Sequence, residues 1–318
     1  MSAISKKPIK TWKGIVAQAQ KISRQRMRRV AVAAADDAAV IQAVADAHKQ
    51  KIADAALVGI PDQIRGLADK IQVDISALQI ESAPNAESAA ARAADMAASG
   101  DADIIMKGFL PTSTLLKAVL AKERGLRRSE VLSHCAVLSV PDYPRLLNIT
   151  DGGMVVSPDF DQKVRIIENA IMVSRALGIP KPRIALLAAT DVVNPHMPRA
   201  VEDAVIAKMA DRGQIRDAIV DGPLSLDAAT LPEVAKFYEI DSPVAGRADV
   251  LVANSIEEGN IISKSLILFG GAVFCGVIVG AAVPVSLVSR SDPPRNKLAS
   301  LAIAVLLSEY LQAQEARS

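Results

Sequence analysis

Short apolar runs of strand length alternate along this chain with stretches of helical periodicity, and this alternation restricts the fold more than any other feature of the sequence. Residues 29–34, 55–59, 104–106 and 135–140 read as strands. Residues 37–50, 86–99 and 111–120 read as helices between them. The second half continues the pattern, with helices over 161–177, 198–212 and 260–269 and strands over 183–189, 218–221 and 249–253. Residues 277–279 and 285–288 read as buried parallel strands. Residues 296–315 read as a closing amphipathic helix with Leu298, Leu301, Ala302, Val305 and Leu306 on its apolar side. The expected fold class is therefore α/β, a parallel sheet with helices on both faces. At 318 residues the chain is long enough for two such units. Aromatic residues make up only 3%, so Ala, Val, Ile and Leu must do most of the packing.

Charge excludes some functions. Lys and Arg number 37 against 35 Asp and Glu, so no general basic excess points to nucleic acid or an anionic membrane. The local cluster Arg24, Arg26, Arg28 and Arg29 reads as a solvated helix face leading into a strand, with phosphate binding as the alternative. The uncharged run 266–288 is long enough to cross a bilayer. However, Gly270, Gly271, Gly276, Gly280 and Pro284 divide it into shorter pieces, so no membrane span is expected. Cys135 and Cys275 lie far apart in apolar surroundings, without metal-ligand spacing. Together with a polar, basic first ten residues, they set the expectation of a cytoplasmic protein with no metal site.

Ligands of open α/β sheets gather in the loops after strand ends, and four loops have suitable residues. Lys107, Gly108 and Thr112 combine a cation, a glycine and a helix-start hydroxyl, as an anion site requires; an ordinary Thr/Ser helix cap is the competing reading. Thr150 and Asp151 precede a Gly-Gly pair that by itself signals only a turn. Gly259 and Asn260 open a helix on which Lys264 falls one turn later. Ser289, Arg290 and Asp292 follow a buried strand. There Arg290 can grip a phosphate with two parallel bonds and Ser289 can donate to an oxyanion, while a structural Arg290–Asp292 surface pair is the alternative. His134 reads as a core or strand-end histidine, since no nucleophile–base–acid order accompanies it.

These loops occur in one order together with other motifs. They are Met106-Lys107-Gly108 with Thr112 and Leu116-Lys117-Ala118; Ser133-His134; Thr150-Asp151-Gly152-Gly153; Asp221-Gly222-Pro223-Leu224 with Asp227; Glu257-Glu258-Gly259-Asn260 with Lys264; and Gly276 to Gly280 running into Pro284, Ser289 and Arg290. In this the chain resembles the phosphate acetyl/butyryltransferases, and looks closer to the butyryl branch. The resemblance implies a two-domain fold related to isocitrate and isopropylmalate dehydrogenases. Residues 1–150 plus 284–318 would form the first domain and 151–283 the second, with an active-site cleft between them. It also implies reversible transfer of a short acyl group, butyryl or acetyl, between coenzyme A and inorganic phosphate, with both as substrates and no bound cofactor. Ser289 and Arg290 would take catalytic roles in a homodimer. A functional link to an acyl kinase is a further expectation.

Three positions depart from the family pattern. Asn296 stands where the acetyl branch has an aspartate, leaving Asp292 as the candidate base. Lys117 replaces an arginine, and the proline usual before the acidic helix start is replaced near Ala253-Asn254. Two other readings stay open: a metal-dependent decarboxylating dehydrogenase of the related fold, and a non-catalytic acyl-CoA-binding module.

Overall fold

In a computed structural model, the chain is described at residue 5, residues 7–288 and residues 292–316. It divides into two compact units. Unit 1 contains Trp12–Glu130 and Val273–Ser318; unit 2 contains Ser5–Thr11 and Val131–Ala272. The division falls at 130/131 and 272/273: residues 133–150 pair within the sheet of unit 2, and residues 273–279 within that of unit 1.

Unit 1 begins with α1 (Trp12–Ser23), β1 (Arg29–Ala33), α2 (Ala38–Lys49), β2 (Asp54–Gly59), α3 (Pro61–Lys70), β3 (Gln79–Ser82), α4 (Ala86–Ser99), β4 (Ile104–Lys107) and α5 (Thr112–Val119). Helix boundaries follow local chemistry. Asp37 caps α2 by accepting from Val40 N, and Asn85 caps α4 by accepting from Ser88 N. Gly100 ends α4 at φ 83°, a conformation glycine adopts without a Cβ penalty. Proline opens α3, where its missing N–H leaves no helical bond unmade.

Unit 2 runs through β5 (Ser133–Ser139), β6 (Leu147–Thr150), α6 (Phe160–Ala176), β7 (Arg183–Leu187), α7 (Pro198–Asp211), β8 (Ile219–Leu224), α8 (Leu226–Thr230), α9 (Pro232–Phe237), β9 (Val250–Val252) and α10 (Ile256–Leu268). A full capping box between Asp159 and Gln162 starts α6. The chain then returns to unit 1 with β10 (Val273–Val279), β11 (Val285–Ser286) and α11 (Pro294–Glu315).

The strand order in unit 1 is β3-β2-β1-β4-β11-β10. The first three strands progress outward and β4 then reverses to the other side of β1. With right-handed crossovers, α2 and α3 lie on one face and α4 on the other. This reversal makes the carboxyl ends of β1 and β4 the topological switch point, where α/β sheets hold ligands. Unit 2 has the order β5-β6-β9-β7-β8, which sets the carboxyl ends of β6 and β9 side by side in parallel register.

The sheets are not wholly parallel. β10 pairs antiparallel with β11, and β5 with β6. Residues 280–284 and 140–146 are the only connections, and a parallel return needs roughly a dozen residues or more. The expected parallel pairing over 277–288 is corrected accordingly, although β11 does lie parallel to β4.

The closing helix also differs from its reading. From Asn296 to Ser308 nearly every residue of α11 is buried, including Lys297 and Ser300, so it is a central helix rather than an amphipathic one. It packs against β10 on one side and α1 and α2 on the other. Its polar residues serve the sheet: Gly276 N donates to Ser300 Oγ at 2.8 Å and Phe274 N to Asn296 Oδ1 at 3.4 Å. The arginine cluster is solvated only in part: Arg24 and Arg26 are exposed, Arg29 is half-buried and Arg28 is buried. α1 ends before it, and Arg28 is 3% exposed. Arg28 bonds Asp103 at 3.2 Å and also Glu309 of α11, while Arg26 bonds the same Asp103 at 3.1 Å. Arg26 and Arg28 thus tie the segment entering β1 to the central helix.

Candidate active site

The carboxyl end of β4 delivers Lys107 and Gly108 against the end of β1. Gly108 N donates to Ala33 O at 2.9 Å and Phe109 N to Ala34 O at 2.7 Å. A Cβ on Gly108 would lie 2.0 Å from the Ala34 carbonyl oxygen, so only glycine permits this approach. Lys107 is buried, and its Nζ donates to Gly108 O at 3.3 Å. Thr112 is the first residue of α5. The cap position is Pro111, with no side-chain capping bond among the described residues, so the Thr/Ser-cap reading does not hold. Lys107, Gly108 and Thr112 therefore share one loop. Lys117 lies in the last turn of α5, exposed and about 7.5 Å along the axis from Thr112.

Asp292 is buried rather than on the surface. Lys297 Nζ donates to its backbone oxygen at 3.1 Å. Asn296 has its amide oxygen engaged by β10. Ser289 and Arg290 lie outside the described residues.

In unit 2 the remaining predicted residues come together. Thr150 ends β6, and its hydroxyl donates to His134 O at 2.9 Å. The Thr150–Asp151 peptide is cis. The carboxylate of Asp151 is 3% exposed and accepts four backbone N–H bonds. Gly153 and Met154 donate to Oδ1 at 2.7 and 2.9 Å; His134 and Val155 donate to Oδ2 at 3.1 and 3.3 Å. What reads as a simple Asp-Gly-Gly turn is thus a loop wrapped around one carboxylate. Burial pushes the Asp151 pKa up to about 6, against the lowering effect of these bonds.

The start of α10 rests directly on this loop. Cβ atoms built on Gly152 and Gly259 would lie 2.6 Å from Gly259 C and Asp151 O respectively, so both positions require glycine. Asn260 Nδ2 donates to Gly152 O at 3.2 Å. Ser255 caps the helix by accepting from Glu258 N, so α10 begins four residues earlier than the sequence signal at Asn260. Lys264, half-buried one turn beyond Asn260, is close enough for its charge to act on His134.

His134 belongs to this cluster. It is buried in β5, and a Cβ on Gly153 would lie 3.1 Å from its ring. Burial first, then the Lys264 charge, lower its pKa to about 4, so the imidazole is neutral at physiological pH. Read from sequence alone His134 looks like a core histidine. Its only signal of a site was its place in the ordered set of motifs.

Thr150, Asp151, Gly259, Asn260 and Lys264 form a polar cluster at the carboxyl ends of β6 and β9, with a backbone-rich loop and a lysine that suit an anionic substrate. No group of three or more metal-ligating side chains occurs among the described residues. No described helix is long and apolar enough to cross a membrane.

Residues 78–305 match the family model described as "Phosphate acetyl/butaryl transferase". The chain is 41% identical over 288 residues to the phosphate butyryltransferase of Clostridium acetobutylicum, covering 91% of this chain and 96% of that protein. It also aligns with the crystal structure of a branched-chain phosphotransacylase from Enterococcus faecalis at a TM-score of 0.79 and 33% identity, covering 89% of this chain and 99% of the other. A putative 4-hydroxythreonine-4-phosphate dehydrogenase from Salmonella typhimurium shares the fold alone, at a TM-score of 0.58 and 14% identity over 88% of this chain and 99% of that one. With the ordered loops, the two α/β units and matches extending over most of its length, this chain belongs to the phosphate acetyl/butyryltransferase family.

Proposed function

We propose that this chain catalyses reversible transfer of a short acyl group between coenzyme A and inorganic phosphate: acyl-CoA + phosphate gives acyl phosphate + CoA. The observation that carries this reading is the 41% identity to a phosphate butyryltransferase over nearly the full length of both chains. In the forward direction a phosphate oxygen attacks the thioester carbonyl carbon, the C–S bond breaks, and CoA leaves as a thiolate that takes up a proton. Phosphate is already an anion, so the protein's task is to position it and to stabilise the developing oxyanion. Arg290 holds phosphate, with Lys264 in support, and Ser289 donates to the oxyanion or orients the sulfur. Lys107, Gly108, Thr112, Lys117, Thr150, Asp151, Gly259 and Asn260 are the residues assigned to substrate binding. In reverse, a thiol with a pKa of roughly 8.5 must lose its proton, and Asp292 is the group assigned to accept it.

Coenzyme A and phosphate act here as substrates, without a resident metal or organic cofactor. The enzyme works in the cytoplasm as a homodimer, and an acyl kinase that consumes the acyl phosphate is its metabolic counterpart. The test is an assay of thioester loss with acetyl-, propionyl- and butyryl-CoA, with and without phosphate, in which acyl phosphate is trapped as a hydroxamate. Phosphate-dependent thioester loss with stoichiometric hydroxamate is expected, fastest with one of the three. Absence of phosphate-dependent turnover with all three would reject the reading.

A further inference from the structure

A charged side chain seldom lies at zero exposure, and unit 2 buries two together. Lys163 of α6 and Asp203 of α7 are both 0% exposed and form an ion pair. Glu202 of α7 lies 3.4 Å from the same ammonium, and Arg199 pairs with Glu202 at 3.1 Å. A pair of buried charges is weak evidence of stabilisation, because desolvation offsets much of the attraction. Where its remaining hydrogen bonds lead is more informative.

They lead to Asn254, in the short link between β9 and α10. Lys163 Nζ donates to Asn254 Oδ1 at 2.6 Å, and Asn254 Nδ2 donates to Leu187 O, at the end of β7, at 2.6 Å. Asn254 N donates to Glu258 Oε2 at 2.9 Å, within the first turn of α10. Asn254 therefore spans α6, β7 and α10 with every polar group of its side chain used. The next residues of that turn are Gly259 and Asn260, which lie against the Asp151–Gly152 loop at separations that leave no room for even a methyl group. A small shift of the α10 start would reach the candidate site directly.

We infer that the buried Lys163–Asp203 pair, acting through Asn254, positions the first turn of α10 and thereby holds Gly259 and Asn260 in register with the Asp151 loop. Lys163, Asp203 and Asn254 are positioning residues; none is assigned a contact with substrate. The inference rests on the phosphate acyltransferase reading insofar as its kinetic consequence is concerned. Its structural consequence, the order of one helical turn, stands apart from that reading.

Two measurements on the full chain test it. The first is a double-mutant cycle on kcat/KM for acyl-CoA, using Asn254→Ala, Asn260→Ala and the pair. Misplacement of a binding group lowers turnover by about tenfold or more, and if Asn254 acts by placing Asn260, the double variant loses about as much as the worse single one. Multiplying losses would mean that the two residues act independently and would overturn the inference, as would an unchanged Asn254→Ala enzyme. The second is amide hydrogen exchange. Asn254→Ala is expected to speed exchange in the first turn of α10 and at Gly153 to Val155, leaving β1 and α4 as in the parent. Faster exchange throughout unit 2 would show a general structural role instead. Asn254→Ser serves both measurements if the alanine variant does not fold. A parent enzyme without acyl transfer would defeat the functional reading, and the exchange data would still decide the positioning.

Discussion

Asp151 and His134 are adjacent buried groups whose titration runs in opposite senses. Burial raises the Asp151 pKa to about 6, so this carboxylate gains a proton as pH falls through that value. A protonated carboxyl accepts fewer of the four N–H bonds that shape the loop. We expect kcat/KM to fall as pH drops below about 6 while the protein remains folded. Asp151→Asn should remove that step and lower activity by about tenfold at all pH values, since its NH2 would face two donors; a step near pH 6 persisting in this variant would assign it elsewhere. For His134 the folded pKa is depressed to about 4 from 6.5, so its contribution to stability is present above 6.5 and lost as pH falls through about 4. Asp151 has the opposite sign: its raised pKa contributes stability below 3.8 that is lost as pH rises through about 6. His134→Gln should accordingly lose less Tm than the parent between pH 6.5 and 4, measured by thermal scans across that range. At Arg290, loss of a charged hydrogen bond of roughly 1.5–3 kcal/mol should reduce the rate ten- to hundredfold. A folded Arg290→Ala enzyme with unchanged phosphate dependence and maximal rate would show that phosphate is held by another group.

The contact of α10 with the loop after β6 makes two glycine substitutions informative. Gly152→Ala places a methyl group 2.6 Å from the Gly259 carbonyl carbon, and both partners are backbone. We expect it to lower kcat/KM by about a hundredfold, because the loop and the helix start must separate; a near-parent rate would show that this contact does not set the site. Gly66 gives the opposite result at the same scale. It lies exposed within α3 with nothing within 4 Å of a built Cβ, so Gly66→Ala should stabilise the protein by about 0.5–1 kcal/mol in denaturant titration without changing activity. Helix starts such as those of α2, α4 and α6 were legible from single residues, because a cap is a contact over three or four positions. The direction of β6 and β11 was not: each is short, and its orientation follows from the length of the preceding connection.

Across the molecule, the family reading carries an expectation about metals. Phosphate and thioester need no redox chemistry, and a lysine and arginine can supply the positive charge. Full turnover after exhaustive chelation is expected in the thioester assay. A reversible loss restored by one divalent ion would favour metal-assisted chemistry and a different use of the shared fold. The division into units follows from strand pairing that no local signal reports. β5 and β6 join the sheet of β9, β7 and β8, while β10 and β11 join that of β4.

The sequence by itself determined the α/β class, most helix and strand positions, and the family, because strand hydrophobicity, caps and glycine loops are local and their order along the chain is specific. Only the tertiary structure decided which of those loops meet. Asn260 and Gly152 bond across 108 positions, and Lys163 reaches Asn254 across 91. It also decided that His134 lies against the Asp151 loop, that Arg28 is buried in a clamp, and that α11 is enclosed on nearly every side. Each of these depends on burial and pairing between distant segments. Burial also turns an aspartate with an ordinary pKa into one that titrates near 6, since the charged form loses water only when the chain has folded around it.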